Sequence, residues 1–249
     1  MHGDIPLMRQ IIIILILIFG FNTGLPGQTI NQDSVSKIII GKIPAEFRED
    51  IKAQYDTASI QDREFILLIL SMPTSSKAEQ IKNLDSNLPE ILIVKEQYSK
   101  IVPSGLSVYV EFNPEEILTG TKESIDIRIM NDIGKEYPIV LCQEWNLDFN
   151  SHKLDSLLNT INWNIIKLLE VKTLLQSIHC ISIENGNPTT IGFARSGMGK
   201  YSYKIFDINL TSDQIKEYNN GCEYIFYKEN LVLEYGGGAI GSQCFPDEK

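Results

Sequence analysis

Residues 178–207 constrain the fold of this chain more than any other stretch: I-H-C-I-S-I-E-N-G-N-P-T-T-I-G-F-A-R-S-G-M-G-K-Y-S-Y-K-I-F-D. Three short runs rich in β-branched and aromatic residues are separated by two turns. The first turn, Glu184-Asn185-Gly186-Asn187-Pro188, holds an Asn-Gly pair, which accepts the positive φ angles that a tight hairpin demands. The second, Arg195-Ser196-Gly197-Met198-Gly199-Lys200, sets two glycines between two cations. Successive tight turns return each strand antiparallel to the last. An antiparallel sheet is therefore expected here, with the earlier residues packing on it and the later ones extending it.

Upstream, the spacing changes from two to about four. Lys37 to Ile40 reads as a short strand or the start of packing. Pro44 opens a helix over Ala45 to Tyr55, with Phe47, Ile51 and Tyr55 on one face. Ser59 caps a second helix, Ile60 to Leu70, whose run from Phe65 is apolar all round and is expected to be buried. Pro73 ends it, and Ser76 and Glu79 form a capping box for a third. Leu88-Pro89-Glu90 opens a last helical segment, Ile91 to Ile101. Residues 28–102 are thus expected to be a helical region of their own.

Pro103-Ser104-Gly105 marks the change to strands. Leu106 to Phe112 is strand by composition. Ser124 to Met130 alternates strictly, with Ile125, Ile127 and Ile129 facing one way. Tyr137 to Trp145 follows through a hairpin-like loop at Asn131 to Gly134. Leu154, Leu157, Leu158 and Ile161, then Ile165, Leu168, Leu169, Val171, Leu175 and Ile178, have the spacing of a helical hairpin. Thr211 and Gln214 form another capping box, before strands at Cys222 to Tyr227 and Leu231 to Tyr235. The fold class expected is α+β, a helical N-terminal half packed on or linked to a mainly antiparallel C-terminal sheet, with the α+β domain over 103–249.

The N-terminus predicts export. Arg9 precedes an apolar run, Ile11 to Phe21, and the boundary at Gly24-Leu25-Pro26-Gly27 suits removal of a signal peptide over 1–27. The run is shorter than the ~20 apolar residues that span a bilayer, so no membrane span is expected after cleavage. An uncleaved anchor is the alternative. In an oxidising compartment Cys142, Cys180, Cys222 and Cys244 are first candidates for disulfides. The tail Gly236 to Cys244 carries four glycines, which lose much backbone entropy on ordering. A bond from Cys244 to Cys222 would offset that loss, and Cys142 with Cys180 is then the remaining pair.

The formal net charge of −10 argues against nucleic acid or an anionic lipid surface as partner, since both require a cationic face. The loop Arg195, Ser196, Gly197, Gly199 and Lys200 is the candidate anion or ligand site, because glycines let amides converge between cations. It is not a P-loop: Met198 stands where lysine is needed, and a strand follows. His179 beside Cys180 suggests a thiol nucleophile, although neighbours on a strand face opposite ways. Asp148, His152 and Asp155 match no established metal spacing. No catalytic set, metal or cofactor is assigned. Toward the C-terminus, I-S-I-E-N-G, S-G-M-G and E-Y-G-G-G-A-I-G-S-Q-C make about the last 70 residues resemble uncharacterised exported proteins of Bacteroidota, which implies export and nothing about chemistry. The expectation is a secreted or periplasmic, non-enzymatic protein binding an unknown protein or small ligand through its C-terminal sheet and Gly-rich loop. An exported hydrolase using His152 or His179 with carboxylates is the alternative.

Overall fold

The computed structural model of the chain describes residues 32–43, 45–115, 122–131, 139–236 and 243–246. The expected leader and cleavage site, the loop after Asn131 and most of the glycine tail lie outside them. The chain divides into two compact units, Met1–Ser71 and Met72–Lys249.

Among the described residues of the first unit three helices follow one another: α1 (Gln32–Lys42), α2 (Ala45–Thr57) and α3 (Ile60–Ser71). The strand option at Lys37 to Ile40 gives way to α1, in which Ile39 and Ile40 are buried and Ile38 is exposed. Arginines close the helix ends: Arg48 donates to the carbonyls of Gly41 and Ile43, and Arg63 to those of Tyr55 and Asp56. Such donors satisfy carbonyls that have no partner within the helix. Ser59 caps α3, accepting from the Asp62 amide at 3.2 Å. The apolar run of α3 is not buried all round. Leu67 is, but Leu68 is 40% exposed, because a short helix packed on α1 and α2 meets them along one stripe only.

The second unit holds an eight-stranded sheet, antiparallel at every pairing, in the order β3-β2-β1-β4-β5-β6-β8-β7. The strands are β1 (Leu106–Asn113), β2 (Ser124–Asn131), β3 (Ile139–Asp148), β4 (Ser182–Glu184), β5 (Thr189–Ser196), β6 (Gly199–Ile205), β7 (Tyr224–Lys228) and β8 (Leu231–Gly236). The helices are α4 (Lys77–Ile101), α5 (His152–Thr160), α6 (Ile165–Ser177) and α7 (Ser212–Glu217). The α+β class expected from the sequence is what the molecule adopts. Both capping boxes form, Ser76 with Glu79 and Thr211 with Gln214. Strands β4 to β6 meander through the two turns that the sequence marks.

One face of the sheet is the core. Val108 and Val110 of β1, Ile125, Ile127 and Ile129 of β2, Ile183, Ile191, Tyr203, Ile205 and Leu233 are all buried there against α4, α5 and α6. Helix α4 corrects the expected division at residue 102: it belongs with the sheet. Two helical segments merge in it across a kink at Asn87, just ahead of Pro89. Its first half is locked by polar contacts. Gln80 Nε2 donates to the Ser202 carbonyl at 2.8 Å, and Tyr203 Oη donates to the Gln80 carbonyl at 2.9 Å. Asn83 Nδ2 donates to Ile178 O and to Tyr203 Oη, each at 3.1 Å. Its second half buries Ile91, Val94 and Tyr98. Sequence placed α4 with the other helices because helical spacing says that a face is buried, not against what.

Cys222 and Cys244 are joined, with Cα atoms 3.9 Å apart. The Phe245 amide then donates to the Cys222 carbonyl at 2.8 Å, and its ring lies 6.0 Å from Tyr201 and 5.8 Å from Tyr235. The second expected pair is corrected: Cys142 and Cys180 are free thiols. Cys142 sits on the edge strand β3 opposite Ile129. Cys180 lies buried behind α6, donating to Ile178 O at 3.4 Å, and burial pushes its thiol well up. Chain denatured without reductant is therefore expected to titrate two thiols. In the folded protein Cys142 should react first and Cys180 only on unfolding, because a buried neutral thiol has neither access nor thiolate. Zero or four thiols would contradict this arrangement.

Candidate functional site

The strand β4 is three residues long, while β1 and β5 on either side of it have eight each. Register fixes where the mismatch falls. Glu111 of β1 pairs with Ser182, the first residue of β4, and Ser182 pairs with Gly192 of β5. Beyond those rungs β1 continues through Phe112 and Asn113, and β5 through Phe193 to Ser196, with only Ile181 between them. Ile181 accepts from Phe112 and donates to Gly192. The chain then turns away at Cys180 into α6. The sheet is notched at that point, and the first turns of α4 face the notch.

The notch holds a cavity of about 660 Å³. Its walls come from β1 and the residue after it (Glu111, Phe112, Asn113, Pro114), from the approach to β4 (His179, Ile181), from β5 (Phe193, Ala194, Arg195), and from residues 73–87 (Pro73, Thr74, Ser75, Glu79, Lys82, Asn83, Ser86, Asn87). Phe193 is the extra residue where the β5–β6 register shifts between Gly192 and Ala194. A bulge of this kind re-aims the side chain it carries. Here the ring lies 6.2 Å from that of Tyr203 and also lines the cavity.

Across the notch runs a buried charge cluster. Glu111 is 0% exposed. Arg195 Nε donates to its Oε1 at 2.5 Å and Lys200 Nζ to its Oε2 at 2.9 Å, and Tyr109 Oη also donates to Oε2. Lys200 further reaches Tyr109 Oη at 2.9 Å and Ser182 Oγ at 3.1 Å. Arg195 Nη2 is 3.7 Å from Asp126 Oδ2, and Asp126 accepts from Asn113 at 2.9 Å and from the Asn146 amide at 2.8 Å. Burial by itself would raise the Glu111 pKa, but Lys200 and Arg195, with the donated hydrogen bonds, hold it below its ordinary value. Asp126 is shifted the other way, burial outweighing the Asn146 amide and Arg195. Burial and the charge of Glu111 push the Tyr109 phenol far up, so it stays a donor.

Glycine at 192 is what lets Lys200 span β5 and β4 to reach Glu111. A Cβ there would sit 2.1 Å from Ser182 Oγ and 3.1 Å from Lys200 Cδ. The ammonium is delivered over bare backbone.

The predicted anion loop does something else. Ser196 Oγ donates to Ser75 O at 2.9 Å and accepts from Ser75 N at 3.1 Å. The Gly197 amide donates to Pro73 O at 2.8 Å, and Gly197 has the left-handed φ of 58° that the two-residue turn requires. Gly199 lies under Tyr235, whose ring and hydroxyl stand 2.6 Å from where a Cβ would be. Lys200 is taken by Glu111. Of the five residues expected to hold an anion, Arg195 alone lines the cavity; Ser196 and Gly197 tie the hairpin to the segment before α4, and Gly199 packs under β8. The anion answered by both cations is internal.

The expectation about His179 and Cys180 also changes. They are not on a strand but in the turn that ends α6, His179 with φ 53°. The imidazole is exposed and lines the cavity, while the buried Cys180 thiol is not among the cavity residues. His152 begins α5, exposed and away from the cavity walls. Among the described residues no group of three or more His, Cys, Asp or Glu side chains is placed to hold a metal ion. Sequence reasoning passed over Glu111, Tyr109, Asp126 and Lys82. A signal existed for the first: Glu111 is the one acid in the apolar run L-S-V-Y-V-E-F, and a buried acid needs a partner.

No protein-family model, curated protein or solved structure matches this chain.

Proposed function

We propose that this is an exported protein that binds a small ligand in the notch of its C-terminal sheet. The observation that carries the reading is the cavity of about 660 Å³, ligand-sized and walled mainly by strands and a helix. Phe112, Phe193 and Ile181 supply apolar surface, and Ser86, Asn87, Asn113 and Thr74 supply hydrogen-bonding groups at its walls. The cation–carboxylate cluster behind it holds β1 and β5 at a set separation, so the site is preformed.

Binding is favoured over hydrolysis by how the acids are used. Glu111 already accepts from three side chains, and Glu79 serves the capping box and Ser75. The Glu111 carboxylate has both oxygens engaged, Glu79 is tied through Oε2 to the start of α4, and the His179 imidazole has no orienting partner among the described residues. The leader and the Cys222–Cys244 bond support an extracellular or periplasmic location. Among the described residues no helix is long and apolar enough to cross a membrane.

A fragment screen by thermal shift tests the reading, run on the wild-type chain and on Ser86→Trp. Ser86 is an exposed α4 residue at the cavity wall, so the indole should obstruct the cavity without disturbing the core. Hits present at a hundred times their Kd should raise the wild-type Tm by about 5 °C and leave the variant unmoved. Hits that shift both proteins alike, or no hits, would rule the notch out.

A further inference from the structure

We infer that the ligand is a small organic anion, a carboxylate or phosphate monoester on an apolar body. This rests on the notch being the ligand site, and it follows from the charges left over there. Five ionisable side chains line the cavity among the described residues: Glu79, Glu111, Lys82, His179 and Arg195. Both carboxylates accept hydrogen bonds inside the protein, Glu79 from neutral donors and Glu111 from two cations and a phenol. Glu79 Oε2 takes the Ser76 amide and the Ser75 hydroxyl at 3.0 Å each, and Glu111 takes Arg195, Lys200 and Tyr109.

The cationic side is not used up. Lys82 and His179 are exposed, and the side chain of neither makes a hydrogen bond or ion pair with another described residue. Arg195 commits its Nε to Glu111, keeps one Nη at 3.7 Å from Asp126, and is 35% exposed. Of the five N–H donors on a guanidinium, the others are left for a ligand. The cavity therefore offers cationic donors with bonds to spare, the Lys82 ammonium and the Arg195 Nη groups, on a chain whose net charge is −10. Cationic donors confined to a cleft, inside an otherwise repelling surface, select small anions that can enter it and not large polyanions. Arg and Lys together recognise carboxylate and phosphate oxygens by charge-assisted hydrogen bonds. Phe112 and Phe193 then give the apolar body a floor.

The test is amide chemical-shift titration of the full chain with three probes of one shape: phenyl phosphate, phenylacetate and the neutral 2-phenylethanol. Saturable shifts at Lys82, His179, Phe193 and Arg195 are expected with at least one anionic probe, and about tenfold weaker binding for the alcohol. The two anions separate phosphate from carboxylate as the preferred group. The double variant Lys82→Gln, His179→Asn should weaken the anionic probe about tenfold at unchanged Tm, since both side chains are exposed and asparagine tolerates the left-handed φ. Equal affinity for the alcohol at the same amides would overturn the anionic class while leaving the notch as a ligand site. Cavity amides unmoved by all three probes would overturn it too, with the notch itself judged by the fragment screen.

Discussion

Glu111→Gln should destabilise the sheet-containing unit by about 3 kcal/mol at neutral pH, lowering its Tm by roughly 6–12 °C. The amide preserves shape and removes the charge that Lys200 and Arg195 share. Lys200 is 13% exposed, so its ammonium would be left without a counterion in a place where water cannot replace one. Urea denaturation of the variant measures the cost. Adding Lys200→Met should recover part of it, because the two sites act on one interaction and their effects cannot add. A loss below about 0.5 kcal/mol would mean that the cluster is solvated in solution.

The acid side of the stability curve carries the sign. The folded-state pKa of Glu111 lies below its ordinary value of 4.5. Its ionised form therefore stabilises the fold fully above that value, and the contribution is lost as the pH falls through the depressed one. Wild type and Glu111→Gln should converge in stability on acidification. Asp126, whose pKa burial raises, works in the opposite sense: its ionisation costs stability as the pH rises through the raised value. The convergence is thus expected below 4.5, where the Glu111 carboxylate of the folded chain takes up its proton.

Tyr98→Ala should cost about 3–5 kcal/mol. The ring is fully buried, meets Trp163 edge-on at 6.2 Å, and its hydroxyl donates to the Val108 carbonyl at 2.9 Å. It is the apolar anchor of α4 on β1. Tyr98→Phe removes only the hydroxyl and should cost about 1 kcal/mol. If α4 belonged instead to the helical region before it, Tyr98→Ala would leave the sheet transition unchanged. Native-state hydrogen exchange of the β1 and β2 amides reads this directly: their protection should fall with Tyr98→Ala and hold with Tyr98→Phe.

Whatever depends on a few neighbouring residues was readable beforehand. The two hairpin turns, both capping boxes and the alternation of Ile125, Ile127 and Ile129 rest on contacts within four residues or on the period of a single strand. The glycine tail pointed to the Cys222–Cys244 bond for an equally local reason, the entropy of a short flexible loop. Where the local rule was ambiguous, the reading slipped. Ile178-His179-Cys180 has strand-like composition yet ends a helix, because the carbonyl of Leu175 captures the amides of both Ile178 and Cys180.

The α+β class, most element identities and the tie at the C-terminal end are written in short segments, since propensity, periodicity and turn chemistry are local properties. Tertiary structure alone decided what those segments do together. It set α4 on the sheet, left Cys142 and Cys180 apart, and stopped β4 three residues into its neighbours' length. It also brought Arg195 and Lys200 to a carboxylate 84 and 89 residues earlier. Register and long-range pairing choose among partners that look alike in sequence, and the cavity exists only because a short strand lies between two long ones.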